Sequence, residues 1–353
     1  MMAMNSMQRT LTTLGQQEPD RVPLFLLTSG HGAKEVGLSI EAYVSRAENV
    51  IEGQLRLLKK YRADCLYGFY YASIEVEAWG GNTLFSPDGP PQCDAPIIND
   101  KQIDTLEAPA IDGAPGLLRV LDTLRGLKQR VGDSVPIIGV AISPFSLPVM
   151  QMGFDRYIEL IYEQPGRFER LMQANIEFCV NWSNAQLAAG ATAICYFDPV
   201  SSTTSIPRAL YLETGQAVAR RCLPRIKGAT ATHLASGRGL PIIGDIADTG
   251  TAIIGVSALE DLAQLKAAAN KRVSLLGNLN GIEMRRWTPA QAEAEVKRAI
   301  AKAGRGGGFL LSDNHGEIPQ LVPDEVLLAI GDAVDRWGRY PLDWIADWQD
   351  EGA

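Results

Sequence analysis

Residues 191–202 read Ala-Thr-Ala-Ile-Cys-Tyr-Phe-Asp-Pro-Val-Ser-Ser. Seven mostly apolar, β-favouring residues run without interruption and then give way to a turn and hydroxyl side chains. A run this continuous suits a strand covered on both faces, and Asp198-Pro199 ends it in a polar loop. The same unit recurs along the chain. Strands are expected at 22–27, 64–69, 135–142, 191–197, 229–234, 251–256, 273–276 and 308–311. Helical patterns fill the gaps. One covers 47–60, one covers 167–187 after Gln164-Pro165-Gly166, and a short one covers 240–247. Another covers 290–303, with Thr288 as cap and Pro289 in the first turn. Eight strand-then-helix units predict a parallel sheet, and eight is the number that closes into a (β/α)8 barrel. The open doubly wound sheet is the alternative, disfavoured because no GxGxxG follows the first strand.

One segment breaks the rhythm. Residues 79–111 are rich in Gly, Pro, Asn and Asp. They read as a long excursion after strand two, folding over the barrel mouth. Nothing reads as a linker, so one barrel domain is expected across residues 1–353, with its core at about 7–338. Gly304 to Gly308 lacks the ending of a phosphate loop and reads as a flexible entry into the eighth strand.

The chain is 46% hydrophobic and 21% charged, with a formal charge of -8 and pI near 5.1. Basic residues are scattered, which argues against a nucleic-acid or anionic-membrane partner. No apolar run approaches the roughly 20 residues of a membrane span. The opening residues lack the basic start and apolar stretch of an export signal, so the expected location is cytoplasmic. The five cysteines are widely spaced without a CxxC and read as reduced, buried thiols.

In a barrel, chemistry sits where strands end. The first strand leads to Ser29, Gly30 and His31, the second to Tyr70, Tyr71, Glu75 and Glu77, and the third to Ser143 and Ser146. The fourth ends at Asp198, the fifth at His233, the seventh at Asn278 and Asn280, and the eighth at Asp313, His315 and Glu317. All 3 histidines therefore fall on one rim. A single histidine is usually a packed or solvated residue; three on one predicted rim point to His233 and His315 as working groups, with His31 as a further imidazole. Asp198 is either a turn residue or the carboxylate that orients a histidine. Tyr70 and Glu75 are candidate substrate contacts. Asn278 and Asn280 lie in a turn that either links strand to helix tightly or lets a cofactor approach the backbone. His233 and His315, with an oxygen ligand from Asp198, Glu213, Asp313 or Glu317, have the chemistry of an open Zn2+ site.

The order of these segments resembles the uroporphyrinogen decarboxylase superfamily from about Met7 to Gly338. The carrying stretches are Asp20-Arg21-Val22-Pro23, Val135-Pro136-Ile137-Ile138-Gly139 with Ser143-Pro144-Phe145-Ser146-Leu147, and Tyr196-Phe197-Asp198-Pro199. They continue through Thr232-His233-Leu234-Ala235-Ser236-Gly237, Leu276-Gly277-Asn278-Leu279-Asn280 and Leu311-Ser312-Asp313-Asn314-His315-Gly316. The resemblance implies a (β/α)8 barrel. It also implies one of two chemistries. Decarboxylases of the superfamily carry an arginine-rich grip after strand one, whereas Leu24 to His31 contains no arginine here. The substrate aspartate after strand two also has no counterpart, since Tyr67-Gly68-Phe69-Tyr70-Tyr71 stands there.

The other branch is corrinoid-dependent methyltransfer, to which the Asp-Pro-Val-Ser-Ser stretch is similar. Its thiol-methylating members, such as methylcobamide:coenzyme M methyltransferases, bind zinc through a His-x-Cys and a later Cys. Those positions are His233, Ala235 and His315 here, so both thiolates are replaced. A harder set such as Asp198, Glu213 and His233 resembles that of O-demethylase methyltransferases, where Zn2+ polarises an ether oxygen. The implied function is methyl transfer between a small O-, N- or S-methyl compound, a methyl ether favoured, and the cobalt of a cobalamin-type corrinoid. That corrinoid would be carried by a separate protein, since no DxHxxG motif occurs in this chain. Two alternatives stand beside it: a metal-independent lyase using His233 as acid, and a barrel that has lost catalysis. A homodimer is left open.

Overall fold

The computed structural model describes residues 3–86 and 89–350. Eight parallel strands form one curled sheet: β1 (Leu24–Phe25), β2 (Leu66–Tyr67), β5 (Ile137–Ile142), β6 (Ala193–Phe197), β7 (Ala229–His233), β8 (Ile253–Gly255), β9 (Ser274–Leu279) and β10 (Phe309–Asp313). Their order around the sheet is β1-β10-β9-β8-β7-β6-β5-β2, with helices between consecutive strands. This is the α/β barrel architecture predicted by the alternation. The remaining pair, β3 (Thr83–Ser86) and β4 (Gly89–Cys93), is antiparallel and separate from the sheet. It lies inside the excursion expected at 79–111, of which Pro87 and Asp88 are outside the described residues.

Strands β1 and β2 are the two ends of the laddered sheet and are tied by fewer, stronger bonds. Asp64 N–H donates to the Leu24 carbonyl at 2.7 Å, and the Leu24 N–H donates to Asp64 Oδ2 at 2.8 Å. The same buried carboxylate accepts from Arg9 at 2.6 Å, Arg21 at 2.8 Å and Ser6 at 2.9 Å. Charge-assisted bonds of this kind are stronger than ladder bonds between neutral groups. Gln54 adds a second tie: its Nε2 donates to the Thr28 carbonyl at 2.7 Å, and its Oε1 accepts from Tyr67 N–H at 3.1 Å.

Two apolar cores follow from the period-2 alternation of strands. Phe25, Leu27, Cys65, Tyr67, Val140, Cys195, Ala231, Ile253, Leu276 and Leu310 fill the inside of the curl. The other faces, with Leu24, Leu66, Ile137, Ile194, Ile254 and Leu311 among them, pack on the helices. Helix Pro165–Ala188 holds β5 through Gln186, whose side chain bonds both Val140 N–H at 3.0 Å and Val140 carbonyl at 2.8 Å. Helix Pro289–Ala303 begins with the expected Thr288 cap, which forms a capping box with Gln291.

The entry to β10 differs from its expected role. Gly307 and Gly308 have φ of 71° and 63°, and a Cβ there would stand 2.3 Å from the Gln17 carbonyl oxygen and 2.1 Å from Gln16 Oε1. These glycines admit close approach of another segment, with Gly308 N–H donating to the Thr13 carbonyl at 2.9 Å. They are a packed contact rather than a flexible lead-in.

Candidate active site at the barrel mouth

The chain leaves β10 through Asp313, Asn314, His315, Gly316 and Glu317, and this turn builds the site. Asp313 Oδ2 accepts the N–H groups of His315 at 2.7 Å and Gly316 at 2.8 Å, which curls the segment back over the strand ends. Tyr67 from β2 donates its hydroxyl to the Gly316 carbonyl at 2.7 Å. Ile318 N–H then donates to the Leu27 carbonyl at 2.9 Å, pinning the turn to the end of β1. Ser29, just past β1, donates to the Glu317 carboxyl.

A cavity of about 260 Å3 opens above these groups. Its polar lining comes from Ser29, His315 and Glu317, with Arg285 and Gln320 alongside. Its walls are Ile40, Tyr43, Val44, Phe69, Tyr70, Pro90, Pro91, Ile282, Pro319 and Leu321. Pro90 and Pro91 belong to β4, so the excursion does reach the mouth. An apolar cavity with a few polar groups is the ordinary form of a small-molecule site.

Burial sets the electrostatics. It pushes the Glu317 carboxyl up to about 7, against the Ser29 hydrogen bond, and the nearby Asp313 charge adds to the rise. Asp313 itself is pushed up to about 6 by burial, which outweighs its two backbone donors. Burial lowers His315 and takes His233 down to about 3, so both imidazoles are neutral at neutral pH. His233 is wholly inaccessible to solvent. Its ring stacks on Phe197 with centroids 5.5 Å apart at 15°. It fits only because Gly255 and Gly316 lack side chains: a Cβ would meet the ring at 2.3 Å and 3.1 Å respectively.

The other predicted residues are distributed differently. Asp198 is buried and tied on the β5 side, its Oδ1 accepting from Ser143 at 2.6 Å and Ser146 at 2.7 Å. It fastens the loop after β5 to the end of β6. Glu75 is buried behind β5, where Oε1 accepts from Ile142 N–H at 2.9 Å and Oε2 has no hydrogen-bond partner; burial pushes it up to about 8. Tyr70 lines the cavity with its ring while its hydroxyl is engaged with Thr123 at 2.6 Å. His31 is buried, and neither ring nitrogen has a hydrogen-bond partner. Asn278 donates to the carbonyls of Ser257 and Glu260 at 2.9 and 3.3 Å, and Asn280 caps Ile282 and Glu283. Both line a separate cavity with Glu260, Glu283, Glu295, Arg298 and Lys302. Glu213 ends helix Arg208–Glu213 and is exposed.

The zinc set expected from the sequence does not fit this arrangement. Among the described residues, no three His, Cys, Asp or Glu side chains come together as a metal-binding group. His233 Nδ1 accepts the Ala235 N–H at 3.1 Å, which leaves Nε2, buried and without a hydrogen-bond partner, as its one uncommitted ring nitrogen. The residues that sequence reasoning missed are most of the apolar walls and one polar neighbour, Arg285. Ile40, Tyr43 and Val44 arrive from the short helix Ile40–Val44, and Ile282 and Arg285 from the turn after β9. None of them stands at a strand end.

A parallel barrel whose strand ends bring the carboxyl of Glu317 and the imidazole of His315 into an apolar cavity has the form of a barrel enzyme. The model of the family "Uroporphyrinogen decarboxylase (URO-D)" matches residues 5–337, and the chain belongs to that family. Among its relatives, the uroporphyrinogen decarboxylase of Psychromonas ingrahamii is 27% identical over 345 residues, covering 92% of this chain and 96% of the relative. That of Mannheimia succiniciproducens is 26% identical over 305 residues, covering 83% and 84%. A solved methyltransferase from Methanosarcina mazei has a TM-score of 0.84 at 20% identity, over 95% of this chain and 99% of its own. A B12-independent methionine synthase from a Shewanella species has a TM-score of 0.55 at 13% identity, over 90% and 95%. The two structural likenesses are likenesses of fold.

Proposed function

We propose that this chain is a methyltransferase moving a methyl group between a small O-, N- or S-methyl compound, a methyl ether favoured, and the cobalt of a corrinoid carried by a separate protein. The observation that carries the reading is the cavity itself. Its walls are apolar, it holds about 260 Å3, and Arg285 is the one arginine or lysine among the described residues that line it. Uroporphyrinogen carries eight carboxylates, which such a cavity would leave largely unpaired at heavy cost. A small, mostly apolar donor suits it. The close match in fold to the Methanosarcina methyltransferase supports the same branch.

A corrinoid brought to the mouth by its partner would supply a nucleophilic metal centre as methyl acceptor. This chain's residues do the rest. The apolar walls hold the donor and exclude water. As the methyl–oxygen bond breaks, charge builds on the leaving oxygen, and the carboxyl of Glu317 is placed to give it a proton. His315, neutral and in the lining of the same cavity, adds a hydrogen bond to that oxygen. With no three-ligand metal group among the described residues, the proton from Glu317 is the polarising group in this reading.

A second reading is favoured by one feature: a carboxyl held near neutrality in an apolar cavity also suits protonation of the carbanion left by loss of CO2. The relatives named uroporphyrinogen decarboxylase are consistent with it. One assay separates the two. The protein is mixed with chemically reduced cobalamin and a panel of methoxylated, methylamine and methylthio compounds, and the reduced-cobalt absorption and demethylated product are followed. Uroporphyrinogen is tested in parallel for CO2 release. Cobalt-dependent demethylation without CO2 supports methyl transfer; CO2 release with no demethylation moves the assignment to the lyase.

A further inference from the structure

The loop after β7 makes two contacts that decide how both imidazoles carry their protons. Ala235 and Ser236 follow Leu234 with φ of 46° and 69°. Two consecutive non-glycine residues in the left-handed region are strained, and the surrounding bonds hold them there. Ser236 N–H donates to the Asn314 carbonyl at 2.8 Å, and the Ser236 carbonyl accepts from Ser257 Oγ at 2.8 Å. The turn is thereby locked between the ends of β8 and β10. What this conformation achieves is a pair of contacts to ring nitrogens. The Ala235 N–H reaches His233 Nδ1 at 3.1 Å. The Ser236 hydroxyl reaches His315 Nδ1 at 2.7 Å.

A backbone N–H can only donate, so His233 Nδ1 is the acceptor and its proton sits on Nε2. The Ser236 hydroxyl has no other side-chain partner among the described residues, and in the arrangement inferred below it donates to His315 Nδ1. A hydroxyl that donates to His315 Nδ1 leaves the His315 proton on Nε2. That nitrogen has no protein partner among the described residues, and His315 lines the mouth cavity.

We infer that Ala235 and Ser236 act as positioning residues that fix His233 and His315 as Nε2–H tautomers, so that His315, the imidazole that lines the cavity, offers a bound ligand a neutral N–H donor rather than a lone pair for a metal. The ligand chemistry this selects is an oxygen able to accept a hydrogen bond, whether ether or carboxylate. The inference deepens the reading proposed above for the same cavity but is tested on resting protein, so its failure and a failure of methyl transfer are separate results.

The chain has only 3 histidines, so a protein labelled with 15N-histidine gives three imidazole spin systems, assigned by His→Gln variants. Two-bond 1H–15N correlation spectra report which nitrogen carries the proton. The expected wild-type result is a protonated Nε2 and a bare Nδ1 for both His233 and His315. In Ser236→Ala the His315 nitrogens move towards a common averaged position while His233 is unchanged. Ser236→Gly must do the same, and it relieves the left-handed strain, so an unstable fold cannot account for the change. One equivalent of Zn2+ leaves the wild-type spectrum in place. A protonated Nδ1 on His315, unchanged His315 signals in both Ser236 variants, or displacement of the His233 and His315 signals by Zn2+ would each overturn the assignment.

Discussion

Glu317 and Asp198 stand at comparable places, just beyond strand ends, and the structure uses them in opposite ways. Glu317 keeps a single hydroxyl donor, Ser29, and faces the cavity, so burial holds its proton to about 7. Asp198 is filled by Ser143 and Ser146 and serves as a fastener. Strand-end position was legible in the sequence for both; the difference was not, because it depends on which neighbours from other strands arrive with donors. His315 was legible for the same reason as Glu317. Tyr43 and Phe69 were not singled out, since an apolar wall carries no distinguishing residue type. The proposed role of Glu317 has a definite pH sign. The acid form acts, and it is present below about 7 and lost above it. Methyl-transfer rates measured from pH 5.5 to 8.5 (values on the order of those bracketing the shift) should fall as pH rises through about 7. Glu317→Gln should be slower by about a hundredfold or more at the low end, with that pH step gone.

At the scale of elements, two packing contacts make testable statements about stability. The first is the junction of β1 and β2, where Asp64 serves Leu24, Ser6, Arg9 and Arg21 together. Asp64→Ala removes the tie and leaves Arg9 with Asp20 and Arg21 with Asp335 as their remaining carboxylates. A loss of about 2–4 kcal/mol is expected from the several charge-assisted bonds removed, read as a lowered urea midpoint. The second is helix Ile74–Ala78, docked on β5 by Glu75. A carboxyl raised from an ordinary 4.5 to about 8 binds its proton more tightly folded than unfolded. Stability therefore falls as pH rises from about 4.5 to about 8. Glu75→Gln keeps an acceptor for Ile142 and removes the ionisation. The variant should match wild type near pH 4.5 and exceed it by up to about 4 kcal/mol at pH 8, which denaturation at the two pH values would show. Neither junction was legible beforehand. Asp64 read as the first residue of a strand and Glu75 as a substrate contact, because each side chain finds its partners on a different element. The hairpin of β3 and β4 was also unforeseen: its Gly-Pro-Pro composition reads as loop, and prolines are tolerated only because this ribbon stands apart from the main sheet.

For the whole molecule, the alternation of continuous apolar runs with helical periods was enough to give the fold. All eight expected strands are present, within a few residues at their ends. No helix among the described residues is long and apolar enough to cross a membrane. What the alternation could not convey is how the strand ends converge. His233, His315, Asp198 and Glu213 look like one ligand set when written in order, yet one is sealed against Phe197, one lines the cavity, one is held by serines and one is exposed. The central claim is thus that a proton held by Glu317, and not a bound metal ion, activates the leaving group in an apolar cavity. The most direct test is the rate of cobalamin-dependent demethylation, for a donor found in the panel, in three samples: untreated wild type, wild type stripped with chelator, and Glu317→Gln. Stripped wild type should keep the untreated rate while Glu317→Gln loses about a hundredfold or more. Loss of activity on stripping, restored by zinc, with Glu317→Gln unaffected, would contradict the account.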